Sequence, residues 1–245
     1  MVIPIYYCRT PANIKYYLPS KENARLLSKM PISFDLEDLR KSNDCINYLE
    51  TGLFDPTVDV SCKLALKSNF SKVYSIEIRD DWVALGNEVF ISDIESNRLT
   101  IIHGDSANLK TYLNAIGGLH EKTLFYLDAH VDNGGITQAY KFKCPLVAEL
   151  DAIKSLSRND HVICVDDVRI LKENFPWGET TYGNVNFIEL IKLYIKSINP
   201  NYKFTYMNGY IPNDVLVAYV PTQTPYEEQC ASPPAPEPIA SLHKE

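Results

Sequence analysis

The stretch YKFTYMNGYIPNDVLVAYV, residues 202–220, contains two apolar runs with a very short connection between them. The runs YKFTYMN (202–208) and DVLVAYV (214–220) are rich in aromatic and β-branched residues, which favours two strands. The five residues between them include Gly209, Pro212 and Asn213, all of which are common in turns. A parallel crossover needs about a dozen residues or more, so these two strands are predicted to be antiparallel.

Five further short apolar runs precede this pair along the chain. They are INYLET (46–51), KVYSIEI (72–78), RLTIIHG (98–104), KTLFYLD (122–128) and HVICVDD (161–167). In the longer segments between them, apolar residues recur near i, i+3, i+4 and i+7, as in amphipathic helices. Alternation of strands and helices predicts an α/β fold in which parallel strands form a doubly wound sheet.

The chain divides into three parts by composition. Residues 1–44 precede the first strand and contain helical patterns, which predicts an N-terminal helical cap or arm. Residues 45–220 form the predicted α/β domain. Residues 221–245 carry six of the 15 prolines and few large aliphatic residues, which predicts a Pro-rich tail or linker. A plain disordered terminus is the alternative interpretation of this tail.

Composition and charge exclude several classes of protein. Hydrophobic residues make up 45% of the chain and charged residues 22%, which is incompatible with global disorder. The formal net charge of −7 argues against nucleic acid and against an anionic membrane as partners. No apolar run approaches the ~20 residues of a membrane helix, and the start MVIPIYYCR does not resemble a secretory leader. The six cysteines are scattered without a C-x-x-C pair, which indicates reduced thiols and a cytoplasmic location.

Acidic residues stand where each of the five parallel strands is predicted to end. In an open α/β sheet, ligands bind beyond the carboxyl ends of the strands. A single carboxylate at such a position is most often a helix N-cap, but five in succession indicate a ligand site. The acids are Glu50, Glu77, Asp105, Asp128 and Asp166, and Asp167 follows the last of them.

The first strand is not followed by a complete dinucleotide-binding motif. Of the G-x-G-x-x-G pattern only Gly52 is present, and no nucleoside triphosphate loop occurs in the chain. Glu77, at the end of the second strand, is well placed to accept hydrogen bonds from a ribose diol. This combination favours a nucleoside without phosphate over NAD, although Glu77 could also be a solvated charge.

Residues 45–220 resemble the class I S-adenosylmethionine-dependent methyltransferases, whose Rossmann-like seven-stranded sheet has an antiparallel last strand and helices on both faces. The resemblance implies that S-adenosyl-L-methionine is the cofactor. Pro56 departs from the family pattern, because a further glycine is usual there. The implied cofactor-binding residues are Glu50, Gly52, Glu77, Asp105, Ser106 and Asp128.

The segments YLDAH (126–130) and VDDV (165–168) resemble the metal site of catechol-type and macrocin-type sugar O-methyltransferases. The resemblance implies that Asp128, Asp166 and Asp167 hold Mg²⁺ or Mn²⁺. Carboxylate oxygens, completed by water and substrate oxygens, are the ligands that Mg²⁺ prefers. In the alternative interpretation, Asp167 caps the next helix or pairs with Arg169, and Asp128 serves the cofactor alone.

The predicted activity is O-methylation of a sugar or glycan hydroxyl, or of a similar small acceptor. His130 is the predicted general base and acts beside Asp128, because the ordinary imidazole pKa suits proton transfer at neutral pH. Similar domains occur in glycan-decorating systems of large DNA viruses, which would place the chain in the host cytoplasm. A homodimer is a possible state. The alternatives are a catalytically silent Rossmann-like binding domain and a nucleotide-sugar enzyme that uses the aspartates for a metal.

Overall fold

The computed structural model describes residues 32–58, 61–129, 144–171 and 187–221, which contain one seven-stranded sheet. The order of the strands across the sheet is β3-β2-β1-β4-β5-β7-β6. The strands are β1 Asn47–Thr51, β2 Lys72–Glu77, β3 Leu99–His103, β4 Thr123–Leu127, β5 Val162–Val165, β6 Lys203–Met207 and β7 Val215–Tyr219.

Strands β1 to β5 pair in parallel, whereas β7 is antiparallel to both of its neighbours, β5 and β6. The sequence prediction of five parallel strands followed by an antiparallel pair is therefore confirmed. One feature was not predicted: β7 lies between β5 and β6, so that β6 is the edge strand.

Eight helices and one 3-10 turn accompany the strands in the described part of the chain. The helices are α1 Leu36–Ser42, α2 Ser61–Lys67, α3 Asp80–Val89, α4 Ile91–Glu95, α5 Leu109–Ala115, α6 Leu146–Lys154, α7 Val168–Leu171 and α8 Phe187–Ile198; the turn is Ser106–Asn108. The helical segment between β2 and β3 divides at Phe90 into α3 and α4. The side chain of Phe90 is buried in the core and its backbone leaves helical geometry, which ends α3.

The helices cover both faces of the sheet, as predicted, because successive strand residues alternate between two hydrophobic clusters. Leu49 and Phe125 pack with α5, α6 and α8 on one face. Tyr48 and Leu124 pack with α1 and α2 on the other face. All five residues of β1 and of β4 are buried, which is typical of central parallel strands. Burial of each large apolar side chain contributes about 1.5–3 kcal/mol.

The predicted arm and tail lie mostly outside the described residues, which begin at Ile32 and end at Pro221. Within the described part, Leu36 and Leu39 of α1 join the cluster around Tyr48. Four of the six cysteines, Cys45, Cys62, Cys144 and Cys164, are buried free thiols. No helix among the described residues is long and apolar enough to cross a membrane.

Candidate functional site

The strand order reverses between β1 and β4, and the acids predicted from the sequence lie at this edge of the sheet. β2 and β3 follow on one side of β1, and β5 follows on the other side of β4. The two central strands meet closely here, since the Asp128 backbone N–H donates to the carbonyl of Thr51 at 3.1 Å and lies 3.3 Å from its Oγ1. Such a switch point is where open α/β sheets bind their ligands.

Gly52 is the residue at which the chain leaves β1. Its φ of +89° is in the left-handed region that favours glycine. A Cβ at this position would lie 3.0 Å from the carbonyl oxygen of Asp128. Glycine at this position therefore avoids both backbone strain in the turn and a tight contact with the residue after β4.

Glu50 points into the protein below this turn and is fully buried. Its carboxylate accepts hydrogen bonds from the hydroxyls of Ser61 at 2.5 Å, Ser75 at 2.6 Å and Tyr48 at 3.1 Å. Burial raises the pKa of Glu50 to about 7, although the three hydroxyls oppose the shift. Glu50 therefore connects β1 to α2 and β2, and its charge responds to pH close to neutrality.

Glu77 ends β2 and accepts hydrogen bonds from three backbone N–H groups. Its Oε2 accepts from Phe54 at 3.1 Å, and its Oε1 accepts from Ile78 at 2.8 Å and Arg79 at 2.9 Å. Glu77 is only 3% exposed, and burial raises the pKa of its carboxyl group. Glu77 thus holds the loop after β1 against the loop after β2. The backbone of Leu53 is also close enough to lower the pKa of Glu77.

Asp105 and Ser106 follow β3 at the same edge. The Asp105 carboxylate accepts from the Ala107 N–H at 2.9 Å and so caps the 3-10 turn. Ser106 is buried and lies beside α6. The structure therefore gives Asp105 a capping contact, which does not occupy all of its acceptor positions.

Asp128, Asp166 and Asp167 follow β4 and β5 and lie near one another. The Tyr126 hydroxyl donates to Asp166 Oδ2 at 2.6 Å, and the Asp167 N–H donates to Asp166 Oδ1 at 2.7 Å. The pKa of Asp128 is raised, mainly by burial of its carboxyl group. The negative charges of Asp166 and Asp167 raise it further. Burial also raises the pKa of Asp167. A positive charge at this place would relieve the repulsion among the three carboxylates.

Asp214 is a member of this acidic group that the sequence prediction missed. One carboxylate oxygen each from Asp166, Asp167 and Asp214 lies within 4.8 Å of the others, whereas Asp128 is outside that closest set. Asp214 directly precedes β7, and an antiparallel strand begins at the edge where its parallel neighbours end. The predicted reversal of the last strand was therefore the signal that could have identified it.

The guanidinium of Arg169 lies between two of these carboxylates. It contacts Asp167 at 2.5 Å and forms a short ion pair with the fully buried Asp214. The Arg169 backbone N–H also donates to Asp214 at 2.9 Å. The pairing of Asp167 with Arg169 was foreseen as the alternative to a metal site, and the structure contains it.

The turn between β6 and β7 borders the same group. A Cβ on Gly209 would lie 3.3 Å from Asp166 Oδ1, so the turn passes directly beside that carboxylate. The Tyr210 ring is 5.0 Å from the Arg169 guanidinium, in cation–π geometry, and Tyr210 is 40% exposed. This turn was not recognised from the sequence as part of the site.

His130, the predicted base, lies outside the described residues. The described donors fit two kinds of group chemically. Several buried carboxylates without a phosphate-binding loop suit a cationic ligand that carries hydroxyl donors. Asp166, Asp167 and Asp214, with Asp128 nearby, carry the oxygen ligands that a hard divalent cation prefers, and Arg169 is the competing cation.

Comparisons with known proteins identify the fold. No protein-family model and no curated protein sequence matches the chain. An O-methyltransferase from Bacillus cereus, solved with S-adenosylhomocysteine, superposes with a TM-score of 0.50 at 16% identity, over 83% of this chain and 93% of that one. A structure described as a putative caffeoyl-CoA O-methyltransferase from Staphylococcus aureus has a TM-score of 0.48 at 15% identity, over 82% and 90% of the two chains. The superposition on the Bacillus cereus structure, together with the strand order, shows that the chain has the Rossmann-like methyltransferase fold.

Proposed function

We propose that the chain is an S-adenosylmethionine-dependent O-methyltransferase that acts on a hydroxyl of a sugar, a glycan or a similar small acceptor, with a divalent cation assisting. The observation that carries the proposal is the acidic edge at the switch point. Glu50, Glu77, Asp105 and Asp128 lie at or just after the carboxyl ends of β1 to β4, and no phosphate-binding motif accompanies them. This arrangement favours a cationic nucleoside over a phosphorylated one.

The proposed roles follow from where each side chain lies. Glu77 would accept from the ribose, while its three N–H partners keep the carboxylate in place. Gly52 allows the loop after β1 to pass close to the backbone of Asp128 after β4. The cofactor supplies an already electrophilic methyl on its sulfonium, so most of the protein's contribution is alignment, which can provide roughly 7–11 kcal/mol.

The acceptor would bind on the β5 side of this edge. Asp128, Asp166 and Asp167 are the residues proposed to hold Mg²⁺ or Mn²⁺, which would lower the pKa of an acceptor hydroxyl when bound. Tyr210 offers a flat, exposed ring beside them, on which a sugar or phenol ring can stack. The base that removes the hydroxyl proton is proposed from the sequence alone and is His130.

Calorimetric titration of the full chain with S-adenosylmethionine and S-adenosylhomocysteine tests the cofactor. We expect micromolar binding by the wild type. Glu77→Gln should raise the dissociation constant 10- to 100-fold, because it loses hydrogen bonds to a charged acceptor. Glu88→Gln is the matched control, because Glu88 is exposed on α3 and should bind like wild type. Absence of binding to either nucleoside would support a silent binding domain, and binding of a nucleotide sugar instead would support a nucleotide-sugar enzyme.

The metal is tested by Mn²⁺ titration followed by electron paramagnetic resonance, in parallel with methyl transfer in EDTA. We expect saturable Mn²⁺ binding that Asp166→Asn weakens at least tenfold, with the S-adenosylhomocysteine affinity changed less than threefold. Asp151→Asn, an exposed position on α6, should bind Mn²⁺ like wild type. Undiminished methyl transfer in EDTA would remove the metal from the proposal and leave Arg169 as the cation of the site.

A further inference from the structure

Glu149 is a buried carboxylate that none of the roles above explains. It lies on α6, is fully inaccessible to solvent, and neither of its oxygens accepts a hydrogen bond. The hydroxyls of Ser106 and Thr51 are close enough to lower its pKa, but neither forms a hydrogen bond with it. The carboxyl group therefore lies between the end of β1 and the turn after β3, immediately below the proposed nucleoside site.

An ionised carboxylate in this position would be unpaired. The titratable groups that act on Glu149 within the described part of the chain are Asp105 and the buried thiol of Cys144, and neither carries a positive charge. Burial without a partner strongly disfavours the charged form of an acid. Burial accordingly raises the pKa of Glu149 to about 7, and the charge of Asp105 adds to the shift.

A neutral carboxylic acid can do what the carboxylate cannot. It has one O–H donor and a carbonyl acceptor, so it can donate to one hydroxyl while it accepts from another. For this, the side chains of Thr51 and Ser106 would have to turn towards the carboxyl group, and either hydroxyl can then serve as donor or as acceptor. Thr51 also lies against the Asp128 N–H at the switch point, so the link would extend to β4.

Resting on the function proposed above, we propose that Glu149 is a positioning residue which, as a neutral acid, joins Thr51 at the end of β1 to Ser106 in the turn after β3. The proposed nucleoside would bind between these two segments, since β2 separates β1 from β3 in the sheet. The link through Glu149 would keep the two segments at the separation that the nucleoside requires, before the nucleoside binds. When Glu149 ionises, it loses its donor and repels Asp105, so the link opens.

The experiment is calorimetric titration of the full chain with S-adenosylhomocysteine between pH 6.0 and 8.5. Wild type, Glu149→Gln, Glu149→Leu and the exposed control Asp151→Asn are compared. We expect the wild-type dissociation constant to rise above pH 7, by at most tenfold per pH unit for one proton. Glu149→Gln cannot ionise but keeps a donor and an acceptor, so this part of the pH dependence should disappear. Glu149→Leu has neither and should bind at least tenfold more weakly already at pH 6.

Glu50 also has a pKa of about 7 and is retained in every variant. The informative quantity is therefore the ratio of the dissociation constants of Glu149→Gln and wild type at each pH, in which the Glu50 contribution cancels. Asp151→Asn should give a ratio that does not depend on pH.

Unfolding by urea provides a readout without ligand. The folded state holds the Glu149 proton up to pH about 7, whereas the unfolded chain releases it near the ordinary value of 4.5. The contribution of this group to stability is therefore full below pH 4.5 and is lost as the pH rises to 7. Glu149→Gln should remove that loss, and Asp151→Asn should not.

The outcomes separate the two proposals. If wild type binds S-adenosylhomocysteine but the Glu149→Gln ratio is constant with pH and Glu149→Leu binds within twofold of wild type, the positioning role is wrong and the proposed function stands. If wild type does not bind at any pH, the proposed function fails and takes the positioning role with it. A pH-dependent stability difference that persists in that case identifies Glu149 as a purely structural neutral acid.

Discussion

Gly52 shows how one residue controls the geometry of the whole site. Its backbone adopts a φ of +89°, and its missing side chain allows the chain to pass the Asp128 carbonyl. Gly117 has a similar φ of +83° but no atom within 4 Å of where a Cβ would be. Comparison of substitutions at these two glycines therefore distinguishes the cost of backbone strain from the cost of steric contact.

We predict that Gly52→Ala destabilises the protein more than Gly117→Ala does. The left-handed conformation costs an alanine roughly 1–2 kcal/mol at either position. The contact with Asp128 adds about 1–3 kcal/mol at position 52 alone, as overpacking commonly does. Urea denaturation measures both values. Equal losses in the two variants would mean that the β1 loop can move away from β4 without cost.

For the acids at this edge, the sequence could reveal their positions at the strand ends but not the groups that contact them. Their positions at the ends of successive strands were predicted correctly, because short apolar runs indicate where strands end. Their partners were not, because Ser61 and Ser75 reach Glu50 from different elements. Glu149 was missed although it shares the apolar face of α6 with Leu146, Leu150 and Ile153. A charge at that spacing was the available signal.

Among the elements, the hairpin of β6 and β7 contributes most to the site beyond what was predicted. It delivers Asp214 to the start of β7 and places Tyr210 beside Arg169. The short helix α7 carries Arg169 into the acidic group from the other side. An ion pair with a fully buried carboxylate therefore connects α7 to the hairpin.

We predict that Arg169→Met destabilises the protein by about 3 kcal/mol, because removal of one partner leaves a buried charge uncompensated. Arg169→Lys should lose less, since it keeps the charge but not the two-pronged geometry. Asp81→Asn, which breaks the exposed pair of Asp81 with Arg79, is the control and should change stability by less than about 1 kcal/mol. Thermal and urea unfolding give the values. A loss below 1 kcal/mol for Arg169→Met would show that the pair does not hold α7 to the hairpin.

At the scale of the molecule, burial is greatest in the centre of the sheet and decreases towards its edges. Every residue of β1 and β4 is buried, and both strands have two neighbours. The edge strands β3 and β6 pair on one side only and expose part of their residues. The proposed site lies above the most protected strands, which suits a rigid platform for alignment.

We predict that hydrogen exchange follows this arrangement. The amides of β1 and β4 should exchange slowest, since they open only with the whole domain, and those of β3 and β6 should exchange sooner. β6 and β7 provide an internal comparison, because they belong to one hairpin but only β7 is paired on both sides. Mass-spectrometric exchange would contradict the prediction if β6 were protected as strongly as β7.

The sequence by itself determined the number and direction of the strands and the row of acids at their ends. These features depend on local rules: an apolar run forms a strand, a five-residue connection forces a reversal, and a residue after a parallel strand lies at its carboxyl end. The tertiary structure alone decided that β7 inserts between β5 and β6, which brings Asp214 next to Asp166 and into an ion pair with Arg169. It also decided that Glu77 is held by three N–H groups and that Glu149 is held by none. The charge state of a buried group depends on neighbours from distant parts of the chain, and only packing brings these together.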